Sequence, residues 1–415
     1  MNAKFGGSAP MSSRCVKRML VGALLLLLQA WQAGPSLAHQ VALSGGSSAA
    51  VSTRQNYVGD EACRACHSEK VTSYQSTAHH LTSQPPTKES ILGSFAEDKN
   101  ILKTSDPALY FLMESKPDGF YQTAVWGIPP ATTSRSEKMD VVIGSGKKGQ
   151  TYLYWKHGQL FQLPVSYWTD LFTWINSPGY RDGEAHFERG VISNCLGCHL
   201  TYALAIGSPV LSNQFKPESL VMGISCERCH GAGRQHVEAM IAKKQIRNII
   251  NPARLPRDSQ INVCAQCHGG VRAPLTDPFS YVPGESLDKY FRKDYATLVT
   301  TADVHGNQVA LLQMSRCYQS SANMSCSACH DTHETQRDPA VFSKRCLHCH
   351  RAEACGEFPE LGEKLMGTCV NCHMPVQASN VIISSLNGKQ PRAMVRSHWI
   401  KIYAGSKHDS TPSPN

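Results

Sequence analysis

Three features of the 415-residue sequence predict its fold class. A five-residue pattern, Cys-x-x-Cys-His, occurs seven times, and six of the copies lie after residue 190. The long interval between the first and second copies instead alternates apolar and polar residues, which is typical of strands. The loops between the last three copies are too short to build a core of their own. We therefore predict mostly short α-helices and loops wrapped around an array of bound groups, with a small antiparallel β insertion.

The repeated pattern is the attachment site of a c-type haem. Two thiols at this spacing reach the two vinyl groups of one porphyrin, and the histidine that follows reaches the iron. The copies, numbered motifs 1 to 7 in chain order, are Cys63-Arg-Ala-Cys66-His67, Cys195-Leu-Gly-Cys198-His199, Cys226-Glu-Arg-Cys229-His230, Cys264-Ala-Gln-Cys267-His268, Cys326-Ser-Ala-Cys329-His330, Cys346-Leu-His-Cys349-His350 and Cys369-Val-Asn-Cys372-His373. The predicted fold class is therefore that of a multihaem cytochrome c with seven covalently attached haems c.

Two other uses of paired cysteines are weaker explanations. A Cys-x-x-Cys pair alone can be a redox-active dithiol or half of a zinc site. A dithiol enzyme would need one copy, and a zinc array would pair its motifs without needing a histidine after each second cysteine. The histidine is present in all seven copies, so haem attachment is the interpretation that explains every position.

The N-terminus has the pattern of a secretory signal peptide. Four basic residues precede or begin an apolar run at residues 19–31, and the small residues Ser36 and Ala38 follow. We predict cleavage after Ala38, with an uncleaved N-terminal anchor as the alternative. No later stretch has the length of a membrane span. The mature protein is expected to be periplasmic or otherwise extracytoplasmic, without a membrane span after signal removal.

The formal net charge of +9 does not indicate a nucleic-acid partner. Removing the signal segment leaves about +5. Each haem brings two propionates, and its iron porphyrin core returns one positive charge only when oxidised, so seven haems add about −7 in the oxidised state and about −14 in the reduced state. No basic stripe with interleaved aromatic residues is visible, so nucleic acid is excluded as an expected partner.

The motifs divide the chain into five segments. These are a signal peptide (1–38), an N-terminal segment with motif 1 (39–105), a small β-rich insertion (106–190), a cytochrome domain with six motifs (191–404) and a disordered tail (405–415). Strands are predicted at residues 109–113, 120–126, 141–143, 151–155 and 160–163. Helices are predicted at residues 68–75 and 236–246, whereas residues 309–314 fit either a strand or a helix.

Histidines outside the motifs are candidates for the second axial ligand of each iron. The motif histidines His67, His199, His230, His268, His330, His350 and His373 are the predicted proximal ligands. The distal candidates are His79, His80, His157, His186, His236, His305, His333 and His398. His79 and His80 are not distinguishable by position, and His157 is better explained as a turn residue. His348 lies inside motif 6, and His39 and His408 lie at the termini, so these three are poor candidates.

Eight candidates for seven positions would just complete bis-histidine ligation, so one open or methionine-ligated iron is the alternative. Met240, Met314 and Met394 are the methionines considered for such a site, although each also suits core packing. Cys317 and Cys355 remain outside the motifs. In an oxidising compartment we predict that they form a disulfide, with two separate thiols as the alternative.

Several motifs together resemble the multihaem cytochrome c superfamily of the tetrahaem electron carriers of nitrification, hydroxylamine oxidoreductase and ammonia-forming nitrite reductase. These motifs are Cys226-Glu-Arg-Cys229-His230-Gly-Ala-Gly-Arg-Gln-His236, Asn251-Pro252-Ala253-Arg254-Leu255, Cys326-Ser-Ala-Cys329-His330-Asp-Thr-His333, and Cys372-His373-Met374-Pro375 ahead of Ser397-His398-Trp399-Ile400. The sequence is most similar to bacterial multihaem cytochromes often joined to tetratricopeptide repeats. The resemblance implies that His236, His333 and His398 are distal ligands to haems other than their nearest neighbours in sequence. It also implies closely packed haems that form one electron path.

Differences between this sequence and the enzymes of the superfamily favour an electron carrier. The sequence contains no Cys-x-x-Cys-Lys motif, which typically attaches the catalytic haem of nitrite reductase, and no tyrosine can be matched to the cross-linked one of hydroxylamine oxidoreductase. The expected function is electron transfer between other redox proteins. The alternatives are an oxidoreductase with one open iron that acts on a small nitrogen or sulfur compound, and an electron store or assembly scaffold.

Overall fold

A computed structural model of the chain describes residues 55–245, 248–292 and 307–403. The predicted signal peptide, the tail at 405–415 and the ligand candidate His305 lie outside these residues. Within the described residues, no helix has the length and apolar composition needed to cross a membrane.

The described residues contain ten α-helices and fifteen strands. The helices are α1 (Asp60–Tyr74), α2 (Ser193–Leu196), α3 (Cys226–His230), α4 (Arg234–Ile241), α5 (Arg257–His268), α6 (Gln308–Gln313), α7 (Arg316–Gln319), α8 (Pro339–Cys346), α9 (Phe358–Leu361) and α10 (Cys369–His373). The strands are β1 (Ser83–Gln84), β2 (Ile101–Lys103), β3 (Leu109–Lys116), β4 (Gly119–Ile128), β5 (Ala131–Lys138), β6 (Val141–Ile143), β7 (Gly149–Lys156), β8 (Gln159–Gln162), β9 (Val165–Trp168), β10 (Thr173–Asn176), β11 (Arg189–Gly190), β12 (Leu200–Tyr202), β13 (Val221–Met222), β14 (Val376–Ile383) and β15 (Arg392–Arg396).

Two antiparallel sheets form the segment between motifs 1 and 2. One has the order β2-β3-β4-β5, and the other has the order β1-β6-β7-β8-β11 with β9 and β10 added beside β7. Along β3, Leu109, Phe111 and Met113 are buried and alternate with partly exposed residues, as expected for a strand with one covered face. They join Tyr152 and Trp174 of the larger sheet in the main hydrophobic core.

All five predicted strands are confirmed. Burial alternates most clearly along β3, whereas β6 is buried at all three positions. The β5 strand was not predicted, since its sequence Ala-Thr-Thr-Ser-Arg-Ser-Glu-Lys is polar throughout and mostly exposed. It pairs only with β4 and occupies the edge of its sheet. His157 lies in the β7–β8 turn with a φ of 51° and an exposed side chain, which confirms the interpretation as a turn residue.

The helices around the motifs are shorter or differently placed than predicted. The α1 helix contains motif 1 as well as the predicted residues, and it has a kink at His67, where φ is −127° and ψ is 39°. The α4 helix begins and ends earlier than predicted, at Arg234 and Ile241. Residues 309–314 lie mostly in α6, which Asn307 caps by accepting a hydrogen bond from the Ala310 N–H.

The chain after motif 7 forms a hairpin that packs on the β-rich segment. β14 pairs with β15, and Ala393 of β15 is buried with Trp168 and Ile175 of the β9–β10 pair. The Asn176 amide also donates to the Ser385 carbonyl at 3.0 Å. The C-terminal residues therefore join the β-rich segment to the haem motifs.

The prediction of a mostly helical and irregular fold was wrong in its proportions. Eight of the ten helices in the described residues have eight residues or fewer, whereas four separate antiparallel sheets are present. The two sheets at β12–β13 and β14–β15 lie outside the predicted β insertion. Their strands are short or only partly buried, so they lack a clear alternating pattern.

Candidate functional site

All seven motifs face one continuous cavity. Its volume is about 4210 Å³, and its wall includes both cysteines and the histidine of every motif. An ordinary ligand pocket has at most about 1,000 Å³, so this space suits several large groups side by side. The prediction that the motifs form one array agrees with this geometry.

Short helical turns present the motif side chains. Motif 3 coincides with α3 and motif 7 with α10, motif 4 ends α5, and motif 5 begins a single turn of 3₁₀ helix at Cys326–Ala328. In a helical turn, residues three apart lie on the same side. The two cysteines of each of these motifs are therefore placed to reach one edge of one porphyrin.

Hydrogen bonds to Nδ1 orient several of the proximal histidines. The Nδ1 of His230 donates to the Ile250 carbonyl at 2.8 Å, and that of His373 donates to the Lys401 carbonyl at 2.9 Å. The Nδ1 of His199 lies 3.0 Å from the Thr82 hydroxyl. Such contacts fix the ring and leave Nε2 for a metal.

Three proximal histidines each face a distal candidate across the cavity. The ring centroids are 6.0 Å apart for His268 and His79, 6.1 Å for His230 and His333, and 6.2 Å for His330 and His398. Two imidazoles bound to opposite sides of one metal ion have centroids about 6 Å apart, because each metal–nitrogen bond is about 2 Å long. The three pairs therefore have the spacing of axial ligand pairs.

The protein environment favours the neutral form of these rings. Burial lowers the pKa of His79 and His230, and it lowers the pKa of both His268 and His398 to about 4. His268 nevertheless has accessible surface, which is the part of its ring that faces the cavity. A neutral imidazole is the form that coordinates a metal.

The structure distinguishes the remaining distal candidates by position. His236 lines the cavity. The His80 ring turns away from it, with Nδ1 3.2 Å from the Asp60 carboxylate. The His186 side chain is 66% exposed and pairs with Glu184 at 3.2 Å, outside the cavity wall. His186 was among the predicted ligands because it is one of the histidines outside the motifs, and the structure places it away from the cavity.

The predicted disulfide between Cys317 and Cys355 does not form, since both are free thiols. Each lies near a motif cysteine instead. Cys317 is near Cys329 of motif 5, and Cys355 is near Cys372 of motif 7. Both line the cavity, as do Met240 and Met314 among the methionines considered, whereas Met394 does not.

Cysteines of different motifs lie next to each other. The contact lowers the pKa of one thiol and raises that of its neighbour in three pairs, which are Cys63 with Cys226, Cys267 with Cys198, and Cys326 with Cys264. The first pair joins motifs 1 and 3, the second joins motifs 4 and 2, and the third joins motifs 5 and 4.

Backbone contacts connect the last three motifs in order. The Arg345 guanidinium, one residue before motif 6, donates to the Cys329 carbonyl of motif 5. The Val370 N–H of motif 7 donates to the Ser343 hydroxyl at 3.4 Å, so α8, which ends at Cys346 of motif 6, touches the helix that contains motif 7. Consecutive motifs 5, 6 and 7 are therefore neighbours in space.

The residues around the cavity fit haem c in charge as well as in size. The Nε atom of Arg272 is buried without a hydrogen-bond partner, and Arg272 lines the cavity. Haem propionates are anionic acceptors that would satisfy such a donor. The thiols would form the covalent attachments, and the motif histidines would bind the irons.

Comparisons with known proteins agree with this assignment. Residues 180–231 match the family model described as cytochrome c554 and c-prime. The chain is 25% identical over 164 residues to the C-type polyheme cytochrome OmcC of Geobacter sulfurreducens, a match that covers 38% of this chain and 20% of that protein. The aligned region thus spans one fifth of that relative's length.

A solved structure is also similar in fold. The outer cell wall cytochrome OcwA matches with a TM-score of 0.52 and 18% identity, over 83% of this chain and 80% of that one. Together with the repeated motifs, these findings support a multihaem c-type cytochrome fold with haem c as the cofactor.

Proposed function

We propose that this protein is an exported seven-haem c-type cytochrome that transfers electrons between redox partners. The observation that carries the proposal is the single cavity whose wall contains all twenty-one motif cysteines and histidines. Seven attachment sites around one space would place every haem near at least one other. The predicted signal peptide supports a periplasmic or otherwise extracytoplasmic location. Within the superfamily, the nitrification carriers remain the better model, because no Cys-x-x-Cys-Lys motif is present.

The contacts between motifs support a specific path. Motif 1 touches motif 3 at Cys63 and Cys226, and the Cys226 N–H also donates to the carboxylate of Asp60, three residues before motif 1, at 2.9 Å. Motif 3 lies beside motif 4, because Cys229 and Cys267 are neighbours. Motif 4 in turn lies beside motif 5, because Cys264 and Cys326 are neighbours. With the contacts among motifs 5, 6 and 7, the order is 1-3-4-5-6-7. Motif 2 is a side branch that touches motif 4 at Cys198 and Cys267 and motif 3 through the Gly197 carbonyl, which accepts from Arg228 at 3.0 Å.

The histidine pairs support an electron-carrying role for the middle of this path. His79, His333 and His398 are proposed as distal ligands for the irons of motifs 4, 3 and 5, respectively. An iron with two histidine ligands has no open position for a substrate, and it changes oxidation state with little rearrangement. The central haems would therefore relay electrons.

The partners are proposed to be other redox proteins that meet exposed haem edges at the ends of the path. Such encounters are typically small and steered by charge. The propionates would make the haem-loaded surface more negative than the sequence alone indicates.

The haem count tests the proposal directly. A haemochrome assay on the exported protein, combined with its intact mass, is expected to give seven covalent haems per chain. Replacing both cysteines of one motif by alanine should remove one haem, and doing this at motif 6 or motif 7 tests the end of the path. A protein with no covalent haem would overturn the proposal.

A second function is favoured by one observation. Outside the motifs, the histidines that line the cavity in residues 55–245, 248–292 and 307–403 are only His79, His236, His333 and His398. Seven irons have seven distal positions, and these four histidines can fill only four of them. At the other irons, the distal position would be filled by His305, by His348 of motif 6 or by a methionine, or it would stay open. An open iron would allow an oxidoreductase that acts on a small nitrogen or sulfur compound.

Carbon monoxide separates the two functions. If the reduced protein binds carbon monoxide stoichiometrically at one haem, that haem has an open or displaceable position and the oxidoreductase is supported. If every iron is low-spin and unreactive, the carrier is supported and the oxidoreductase loses its basis.

A further inference from the structure

Thr82 contacts the proximal histidine of motif 2 through its side chain. The Thr82 hydroxyl oxygen lies 3.0 Å from Nδ1 of His199, and both residues line the cavity. At His230 and His373, the Nδ1 partner is instead a backbone carbonyl. The partner of His199 is therefore one that a substitution can remove without moving the backbone.

The direction of this hydrogen bond follows from metal binding. An imidazole that binds a metal through Nε2 carries its proton on Nδ1. The Nδ1–H group of His199 would then donate, and the Thr82 hydroxyl oxygen would accept. An acceptor at this position fixes the orientation of the ring and raises the basicity of the nitrogen that binds the metal.

The backbone around Thr82 is held in place by its neighbours. Thr82 ends a single turn of 3₁₀ helix, and its carbonyl accepts from the Gly144 N–H at 2.7 Å. The next residue, Ser83, donates to the His199 carbonyl at 2.8 Å and accepts from the Gly223 N–H at 2.8 Å. Two adjacent residues thus contact the ring and the backbone of His199, so the hydroxyl is fixed beside the ring.

The same turn also carries a distal candidate. The carbonyl of His79 accepts from the Thr82 N–H at 3.3 Å, and its ring faces His268 of motif 4. The C-terminal segment repeats this spacing, since the ring of His398 faces motif 5 and the carbonyl of Lys401, three residues later, accepts from the proximal histidine of motif 7. A segment that offers a distal ligand to one motif therefore also positions the proximal histidine of another.

We propose that Thr82 is a positioning residue for the iron bound at motif 2 and that its hydroxyl lowers the reduction potential of that haem. This inference rests on the proposed function, since it requires haem at motif 2. A more basic imidazole stabilises the oxidised iron, which carries more positive charge. Valine has nearly the shape of threonine without the hydroxyl, so Thr82→Val removes the acceptor and should raise the potential.

Thr201 provides a matched control. It is another threonine beside motif 2, and it is fully buried. Its hydroxyl donates to the Gly223 carbonyl at 2.8 Å and accepts from the Ser225 N–H at 2.7 Å, and it is not part of the cavity wall. Thr201→Val therefore removes buried hydrogen bonds from the same region but leaves the Thr82 contact with the His199 ring in place.

The test is a spectroelectrochemical titration of the haem-loaded protein and its variants T82V, T82S and T201V. In T82V, one of the one-electron transitions should shift to higher potential by at least a threefold change in its equilibrium. This is about 28 mV, since a tenfold change is about 59 mV. T82S keeps the hydroxyl and should leave that transition unchanged, and T201V should shift none. No shift in T82V, or an equal shift in T82S or T201V, would overturn the inference.

A variant without the haem of motif 2 assigns the shift. Replacing Cys195 and Cys198 by alanine removes the attachment site of that haem. Adding T82V to this variant should therefore shift none of the remaining transitions. A shift as large as that seen in the seven-haem protein would show that Thr82 acts on another haem, which contradicts the inference.

The haem count of each variant separates this inference from the proposed function. A parent protein without seven haems contradicts the proposed function whatever its potentials. A parent with seven haems whose transitions do not respond to T82V contradicts the role of Thr82 alone. If T82V does not assemble, T82A, which also lacks the hydroxyl, decides the question, and the absence of any shift in T82A refutes the inference.

Discussion

Replacing His398 by alanine should open one iron and leave the rest of the protein in place. The ring of His398 lies 6.2 Å from that of His330 at an interplanar angle of 26°. Its backbone is held independently of the ring, because the Ser315 hydroxyl donates to the His398 carbonyl at 3.1 Å and accepts from the Ile400 N–H at 2.7 Å. The substitution therefore removes a ligand without releasing its segment.

The expected change in carbon monoxide binding follows from the pairing of His398 with His330. Among the described residues, the proximal ring in contact with the His398 ring is that of His330, so H398A should bind one more equivalent of carbon monoxide per chain than the parent when reduced. The low-spin absorption should fall by the contribution of a single haem. Added imidazole should reverse both changes, since it can occupy the space that the ring leaves. His398→Met should instead keep the iron six-coordinate and raise its potential, because a thioether ligand favours the reduced state.

His186→Ala is the matched control, since it removes an exposed histidine outside the cavity wall whose surface ion pair contributes at most about 1 kcal/mol. It should change neither the carbon monoxide stoichiometry nor the spectrum. The reasoning is refuted if H398A binds no more carbon monoxide than the parent, or if H186A produces the same change as H398A.

Three further substitutions test the packing and charges of the fold, and thermal unfolding of the haem-loaded protein measures each. Trp174→Ala should lower stability by about 3–5 kcal/mol through the cavity it leaves, with a further loss because its indole N–H donates to Ser94; a change below 1 kcal/mol would contradict the proposed core. Glu227→Gln should cost about 2–4 kcal/mol, because an amide keeps one of two oxygens that accept backbone N–H groups; an unchanged midpoint would show that these bonds do not hold motifs 1 and 3 together. Burial raises the pKa of Asp140, so its ionised form opposes folding at neutral pH and this penalty disappears as the pH falls below the ordinary value of about 3.9. Asp140→Asn should therefore raise the midpoint at pH 7 but not near pH 3, and an equal effect at both values would exclude this explanation.

The sequence predicts those parts of the molecule whose chemistry is local. A haem attachment motif needs only five consecutive residues, so all seven were found without knowledge of the fold. The strands at β3, β4 and β7 were found because one face of each is buried, and residues such as Phe111 and Tyr152 mark that face. Their alternation does not depend on which strand pairs with which.

Features that depend on distant contacts were not predictable. His79 and His80 are adjacent, and only the fold shows that one reaches the cavity while the other pairs with Asp60. Spacing alone did not exclude His186, because exposure is a property of the folded chain. The hairpin of β14 and β15 was missed since its strands are stabilised by contacts with Trp168 and Ile175 more than by an apolar pattern of their own.

The three histidine pairs have a consequence for how the chain folds. Each proposed iron would tie together two segments that are far apart in sequence: His79 with His268, His230 with His333, and His330 with His398. A bond that closes a long loop reduces the conformational entropy of the unfolded chain, and its stabilising effect grows slowly with loop length. The haems would then act as cross-links as well as redox centres. The last of these links cannot close until His398 has been synthesised, so a chain that ends before this residue should retain its haems but unfold at a lower temperature.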